Sequence, residues 1–220
     1  TAQDSNVVLT CHAPYFINLN SLEKVKLEAS KKRILDSARR AYECGAYSVC
    51  FHPGFYMKME PAKVYENIKK ECEEIMKILK KEGVNIWVRP ETTGKGTQFG
   101  SFQELAKMTS EVEGMMPCVD FSHVHARSGG KYNTTQEFKE ILETIEKFHG
   151  KEGLKNMHIH LSGIAYSEKG ERNHLILKES DMNYKDLIKV WKEFKIAGII
   201  ISESPNIEQD SLLMQKTYRG

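Results

Sequence analysis

Nothing in these 220 residues pairs two cysteines as C-x-x-C. The five that are present (Cys11, Cys44, Cys50, Cys72 and Cys118) are odd in number and scattered. That argues against a disulfide framework or a zinc knuckle and for reduced thiols in a cytoplasmic protein. Charge of one sign is scarce too: the net formal charge is +2, too small to mark a dedicated nucleic-acid binder, although it leaves room for a local basic groove. No apolar run approaches the roughly 20 residues needed to cross a bilayer, so no membrane partner is expected. The opening "TAQDSNVVLT" lacks the basic head and apolar stretch of a secretory signal. There is no Pro/Ser-rich linker and no low-complexity tract. A glycine-rich dinucleotide loop is also missing: "TTGKGTQFG" supplies only G-x-G.

Six short β-branched and aromatic runs read as buried strands: 6–13, 47–53, 84–91, 117–123, 156–162 and 197–204. Amphipathic helical patterns separate them. "KKRILDSARRAYECG" stops at Gly45, "PAKVYENIKKECEEIMKILKKEG" opens on proline and stops at Gly83, and Ser101 stands as an N-cap before "FQELAKMTS". "NTTQEFKEILETIEKFHG", "NYKDLIKVWKEFKIAG" and "EQDSLLMQKTY" complete the series. Alternation of this kind indicates a parallel α/β domain. The expected architecture is a (β/α)₈ TIM barrel in a single domain over 1–220, although only six βα units are readable.

Each run ends in a metal-ligand or acid–base residue: His12, His52, Glu91, Asp120 with His123, His158 with His160, and Glu203. Alternate side chains share a strand face. His12 therefore lies with Thr10 and Val8, His52 with Cys50 and Ser48, Glu91 with Arg89, and His160 with His158. In most strands the opposite face is the more apolar one, suited to packing under helices. The ligand face then lines the barrel interior and ends at the rim where such barrels keep their chemistry. Asp120 and His123 differ in parity, so both point inward only if the strand breaks after Phe121. Imidazole nitrogens and carboxylate oxygens without rim thiols suit zinc, manganese or iron(II). More than four such donors imply more than one ion.

The segments "CHAPYFINL", "FHPG", "ETTGKGTQFG", "CVDFSHVHA", "IHLSG" and "ISESPN" resemble, in order and spacing, the motifs of the endonuclease IV family, zinc-dependent apurinic/apyrimidinic endonucleases on a TIM barrel. The resemblance implies two or three zinc ions per chain, with manganese or iron(II) as alternatives at one site. His12, His52 and Glu91 would hold the first. Glu91 would bridge to a second held by Asp120, Glu203 and His160, with His158 in a supporting position, and His123 and His174 would hold a third. Glu203 and Glu91 become the catalytic residues. Tyr15 and Phe16 match the family's wedge into kinked duplex, and Arg127, with Lys95, Lys131 and Arg172, lies where phosphates would pass. The expected partner is double-stranded DNA with abasic sites, met by a monomer.

Two departures stand out. The family has Asp-x-His after the fifth of these strands, whereas "GERNHL" puts Arg172 two residues before His174, with Glu171 as a possible substitute. The family's barrel also has two βα units ahead of "HAPY", which are not readable here, so an N-terminally incomplete or shortened barrel is expected. A sugar isomerase or epimerase of the same superfamily, using Glu91, Asp120, His160 and Glu203 around one metal, is the alternative. A non-catalytic metal-binding barrel is a third reading.

Overall fold

The computed structural model describes residues 2 and 4–220. The Cα packing groups them into two compact units: Thr1–Glu91 with Thr97–Gly100 and Lys107–Pro117, and Thr92–Gly96 with Ser101–Ala106 and Cys118–Gly220.

The first unit contains β1 (Thr10–His12), α1 (Lys24–Glu43), β2 (Ser48–Phe51), β3 (Gly54–Phe55), α2 (Pro61–Glu82), β4 (Trp87–Pro90) and β5 (Gln98–Phe99). The strands β1, β2 and β4 form a parallel sheet in that order, with His12 opposite Cys50 and Cys50 opposite Arg89. All four residues of β2 are buried, as expected of a strand covered on both faces. Ile34, Ala38 and Ala41 of α1 and Val64, Ile68, Cys72, Ile75 and Leu79 of α2 are buried at helical spacing. α2 ends on Gly83 in the left-handed conformation, where a Cβ would be strained. β3 and β5 form a two-residue antiparallel pair too short to show in the sequence.

The Pro53-Gly54 break after His52 has a specific cause. Gly54 has φ 145°, and a Cβ there would lie 2.5 Å from Asn18 Oδ1. That oxygen accepts the backbone N–H groups of Asn20 and Phe55 at 3.1 and 3.2 Å. The segment 17–20 is therefore seated directly against the turn, which holds it beside the end of β2.

α3 (Phe102–Glu111) follows β5, its residues divided between the units. Ser101 caps it as expected: its Oγ accepts the Glu104 N–H at 3.3 Å and its own N–H donates to Glu104 Oε2 at 2.9 Å. The second unit then runs through β6 (Cys118–Asp120), α4 (Phe121–Arg127), α5 (Thr135–Lys155), β7 (Met157–Leu161), β8 (Gly163–Ser167), β9 (Gly170–Leu175), α6 (Tyr184–Glu193), β10 (Gly198–Ser202) and α7 (Glu208–Arg219). Its parallel sheet has the order β10-β7-β6, with Asp120 opposite His160 and His160 opposite Ile201. Phe121, Phe138, Ile141, Ile159, Leu187 and Trp191 are among its buried core residues. β8 and β9 form an antiparallel hairpin that carries His174.

The six expected strands are all present, each trimmed at its ends. One boundary differs instructively. The fourth strand breaks after Asp120, one residue earlier than parity required, because Asp120 becomes the N-cap of α4: its Oδ1 accepts the His123 N–H at 2.8 Å. Asp120 thus stays on the strand while His123 sits in the first turn of the helix.

Candidate metal centre

In the first unit, the ends of β1, β2 and β4 bring three expected ligands together. Glu91 is fully buried, and its Oε2 lies 2.9 Å from His12 Nε2 and 3.5 Å from His52 Nε2. The His12 Nδ1–H donates to the Ala13 carbonyl at 2.6 Å, which orients the ring and leaves Nε2 as the nitrogen facing the carboxylate. Burial opposes charge on His12. The hydrogen bond and charge of Glu91 outweigh it, and the imidazole is raised to about 9. In the metal-free state a proton thus occupies the His12–Glu91 contact where a cation would bind. Cys50 Sγ lies within 4.8 Å of the His12 and Glu91 donor atoms, so a thiol that the sequence did not single out as a ligand borders the cluster. Its shared face with His52 was the available signal. The Tyr15 ring stands 5.6 Å from His12 and 6.1 Å from His52, yet Tyr15 is 77% and Phe16 82% exposed. The exposed Tyr15 ring thus stands beside the cluster, and Phe16, next in sequence, also projects into solvent.

In the second unit, Asp120, His160 and Glu203 place one donor atom each within 4.8 Å of one another. His160 Nδ1 lies 3.2 Å from Glu203 Oε1, and its Nε2 lies 3.2 Å from His158 Nε2. The structure thus puts His160 against Glu203 and His158 two residues deeper, against His160. Thr92 fixes Asp120 on both sides, its Oγ1 accepting the Asp120 N–H at 2.8 Å and donating to the Asp120 carbonyl at 3.1 Å. Asp120 is fully buried; its Oδ2 makes no hydrogen bond among the described residues, with His123 Nδ1 standing 3.5 Å away. A buried carboxylate oxygen in that condition is costly unless a cation meets it. The donor set therefore fits a divalent ion.

His123 and His174 lie together, with ring centroids 5.7 Å apart. The His123 Nδ1–H donates to the Thr92 carbonyl at 2.9 Å and that of His174 to the Glu203 carbonyl at 3.0 Å. Both rings are held in the same tautomer, with Nε2 as the lone-pair nitrogen. His123, His174 and Glu203 offer donor atoms within 4.8 Å of one another, and Glu171 Oε2 lies 3.6 Å from His123 Nε2. Arg127, expected to meet DNA, donates from Nη1 to Thr93 Oγ1 at 3.0 Å and to the Lys95 carbonyl at 2.6 Å, bracing the 92–96 loop. Lys95, Lys131 and Arg172 are exposed.

The hairpin bearing His174 is pinned near its turn by groups that the sequence did not single out. Asp181 accepts from Tyr166 Oη at 2.6 Å and meets His125 Nε2 at 3.1 Å. The bond to Asp181 pushes the Tyr166 phenol up to about 12, from 10. A folded-state value above the unfolded one stabilises the fold fully below pH 10, and that contribution is lost as pH rises through 12. The stability difference between the wild type and Tyr166→Phe is accordingly expected to shrink between pH 10 and 12, which urea melts along that range would read.

Residues 1–217 match the family described as xylose isomerase-like TIM barrel. An uncharacterized protein of Methanocaldococcus jannaschii is 45% identical over 213 residues, 97% of this chain and 77% of its own length. A probable endonuclease 4 of Shouchella clausii is 30% identical over 203 residues. A probable endonuclease 4 of Staphylococcus aureus is 30% identical over 161 residues. The chain covered is 84% and 70% in these two matches, which span 66% and 51% of the relatives' lengths. Among solved structures, a D-tagatose 3-epimerase-like protein superposes with TM-score 0.75 at 18% identity, over 99% of this chain and 78% of the other. Endonuclease IV from Thermus thermophilus superposes with TM-score 0.73 at 21% identity, over 99% and 76%. No helix among the described residues is long and apolar enough to cross a membrane. The chain belongs to the xylose isomerase-like TIM barrel family, which fixes its fold as that α/β barrel type.

Proposed function

We propose that this protein is a metal-dependent phosphodiesterase that incises duplex DNA on the 5′ side of abasic sites. The observation that carries the reading is the buried Asp120 Oδ2, without a hydrogen bond among the described residues, beside His160 and Glu203. The probable endonuclease 4 relatives support the choice of reaction. His12, His52 and Glu91 would hold one ion, Asp120, His160 and Glu203 a second, and His123 and His174 a third. Bound divalent ions would make a nucleophile available at neutral pH and neutralise charge on the phosphate oxygens.

The chain's own groups do the rest. Glu203 orients the attacking water and takes its proton, helped by partial exposure at 23% and by His160 at 3.2 Å. Tyr15 and Phe16, already exposed, wedge into the duplex at the lesion. Arg127 holds the 92–96 loop in place beside the phosphates. The same reading treats the chain as a single barrel-type domain, a cytoplasmic monomer whose metal is zinc.

The test is an end-labelled duplex with one abasic site. Incision there and not in an intact duplex, lost on chelation and restored by zinc, is the expected result. A zinc-loaded chain that leaves the lesion uncut overturns the reading.

A second reading, a sugar isomerase or epimerase, is favoured by the sufficiency of Asp120, His160 and Glu203 for a one-metal site and by the epimerase-like structural neighbour. One ion per chain and no incision would select it; two or three ions favour the nuclease, because His12, His52, His123 and His174 exceed what one ion needs.

A further inference from the structure

The geometry points to Glu171 as the carboxylate ligand of the third metal site, joining His123 and His174; this rests on the metal-dependent reading above and concerns a residue that the family pattern does not use. In an Asp-x-His pair, two residues apart, both side chains share a face of a regular strand. Here Arg172 occupies the acidic position and is exposed. Glu171 stands three residues before His174, an odd spacing that a regular strand would split between its two faces.

The hairpin removes that obstacle. Its register pairs Ile164 with His174, Ala165 with Asn173 and Tyr166 with Glu171, with a shift between Ala165 and Tyr166. One step along β8 thus spans two along β9, and Arg172 is left outside the ladder as a bulge. Ile164 and Tyr166 share a face of β8, so their partners His174 and Glu171 share one of β9. The bulge converts a three-residue spacing into same-face neighbours.

Packing, and the distance to one of the two histidines, agree. Glu171 Oε2 lies 3.6 Å from His123 Nε2, where two donors about 2 Å from a tetrahedral ion would stand about 3.3 Å apart. Both histidines commit Nδ1–H to backbone carbonyls and turn Nε2 into the cluster. The Glu171 N–H donates to the Gly94 carbonyl at 2.9 Å. A Cβ on Gly94 would lie 2.5 Å from Glu171 Oε2 and 2.6 Å from Glu171 Cβ. The first glycine of "GKG" thus leaves the space that the Glu171 side chain fills. Two imidazoles and a carboxylate make a donor set for zinc or manganese.

The experiment counts zinc per chain by native mass spectrometry after saturation and desalting, with circular dichroism as a folding control. The wild type and Arg172→Ala are expected to hold three ions, and Glu171→Gln two. Gly94→Ala, which displaces Glu171 without removing it, is also expected to hold two. Three ions retained by Glu171→Gln overturn the proposal, as does loss of an ion from Arg172→Ala or a wild type that holds fewer than three. The count needs no DNA. A three-metal wild type that fails to incise therefore rejects the nuclease reading and leaves this assignment standing.

Discussion

Asp120→Asn is expected to give a folded chain whose incision rate falls on the order of 10³-fold, beyond the 10- to 100-fold that changes behind a ligand usually cost. The amide keeps an oxygen at the Oδ1 position, where the His123 N–H donates at 2.8 Å, so α4 keeps its cap. It replaces the Oδ2 lone pairs with an NH₂ group that binds no cation. Asp120→Ala is expected to lose the same activity and also about 1 kcal/mol of stability, because the first turn of α4 is left uncapped. Incision rates, zinc content and urea midpoints on both variants separate the two roles. An Asn variant with wild-type zinc and wild-type rate would show that Oδ2 meets no metal.

Stripping the metals is expected to lower the melting temperature by roughly 8–16 °C for each tight site. At a free-metal concentration about 1,000 times Kd, each site contributes about 4 kcal/mol, and in a chain of this size each kcal/mol moves the midpoint by about 2–4 °C. The structural reason is that Glu91 and Asp120 are fully buried carboxylates. In the first unit a shared proton offsets part of the loss, since His12 holds one against Glu91 up to about pH 9. For Asp120 Oδ2 the structure shows no such hydrogen bond. Differential scanning calorimetry with chelator, then with zinc restored, reads the shift; a melting temperature indifferent to both would count against any buried metal.

Much of this arrangement is legible in the amino-acid sequence. The parallel strands show as β-branched runs bounded by Gly and Pro, and the candidate donors show because each run closes on a histidine or carboxylate. His52 illustrates the logic: a strand end that should be apolar carries an imidazole, and it faces Glu91 across adjacent strands. What stays hidden depends on partners distant in sequence or on local side-chain bonding. The stop after Asp120 follows from its own side chain accepting a helix N–H, which no hydropathy pattern records. Cys50 looks like core because a buried thiol packs like a small apolar group, and its position beside donors emerges only in three dimensions. The register of β9 is set by β8, so the face of Glu171 cannot be read from "GERNHL" alone.

The Arg172 bulge bears on how this fold can evolve. A one-residue insertion in a strand ordinarily turns every downstream side chain to the other face. Where the ladder absorbs the extra residue locally, the chemistry downstream is preserved and the insertion is tolerated by selection. Lineages can then exchange an acidic residue at one position for another at the neighbouring one while keeping the same constellation in space. An alignment column that shows arginine where relatives have aspartate would, in such a lineage, mark a shifted ligand and not a lost one.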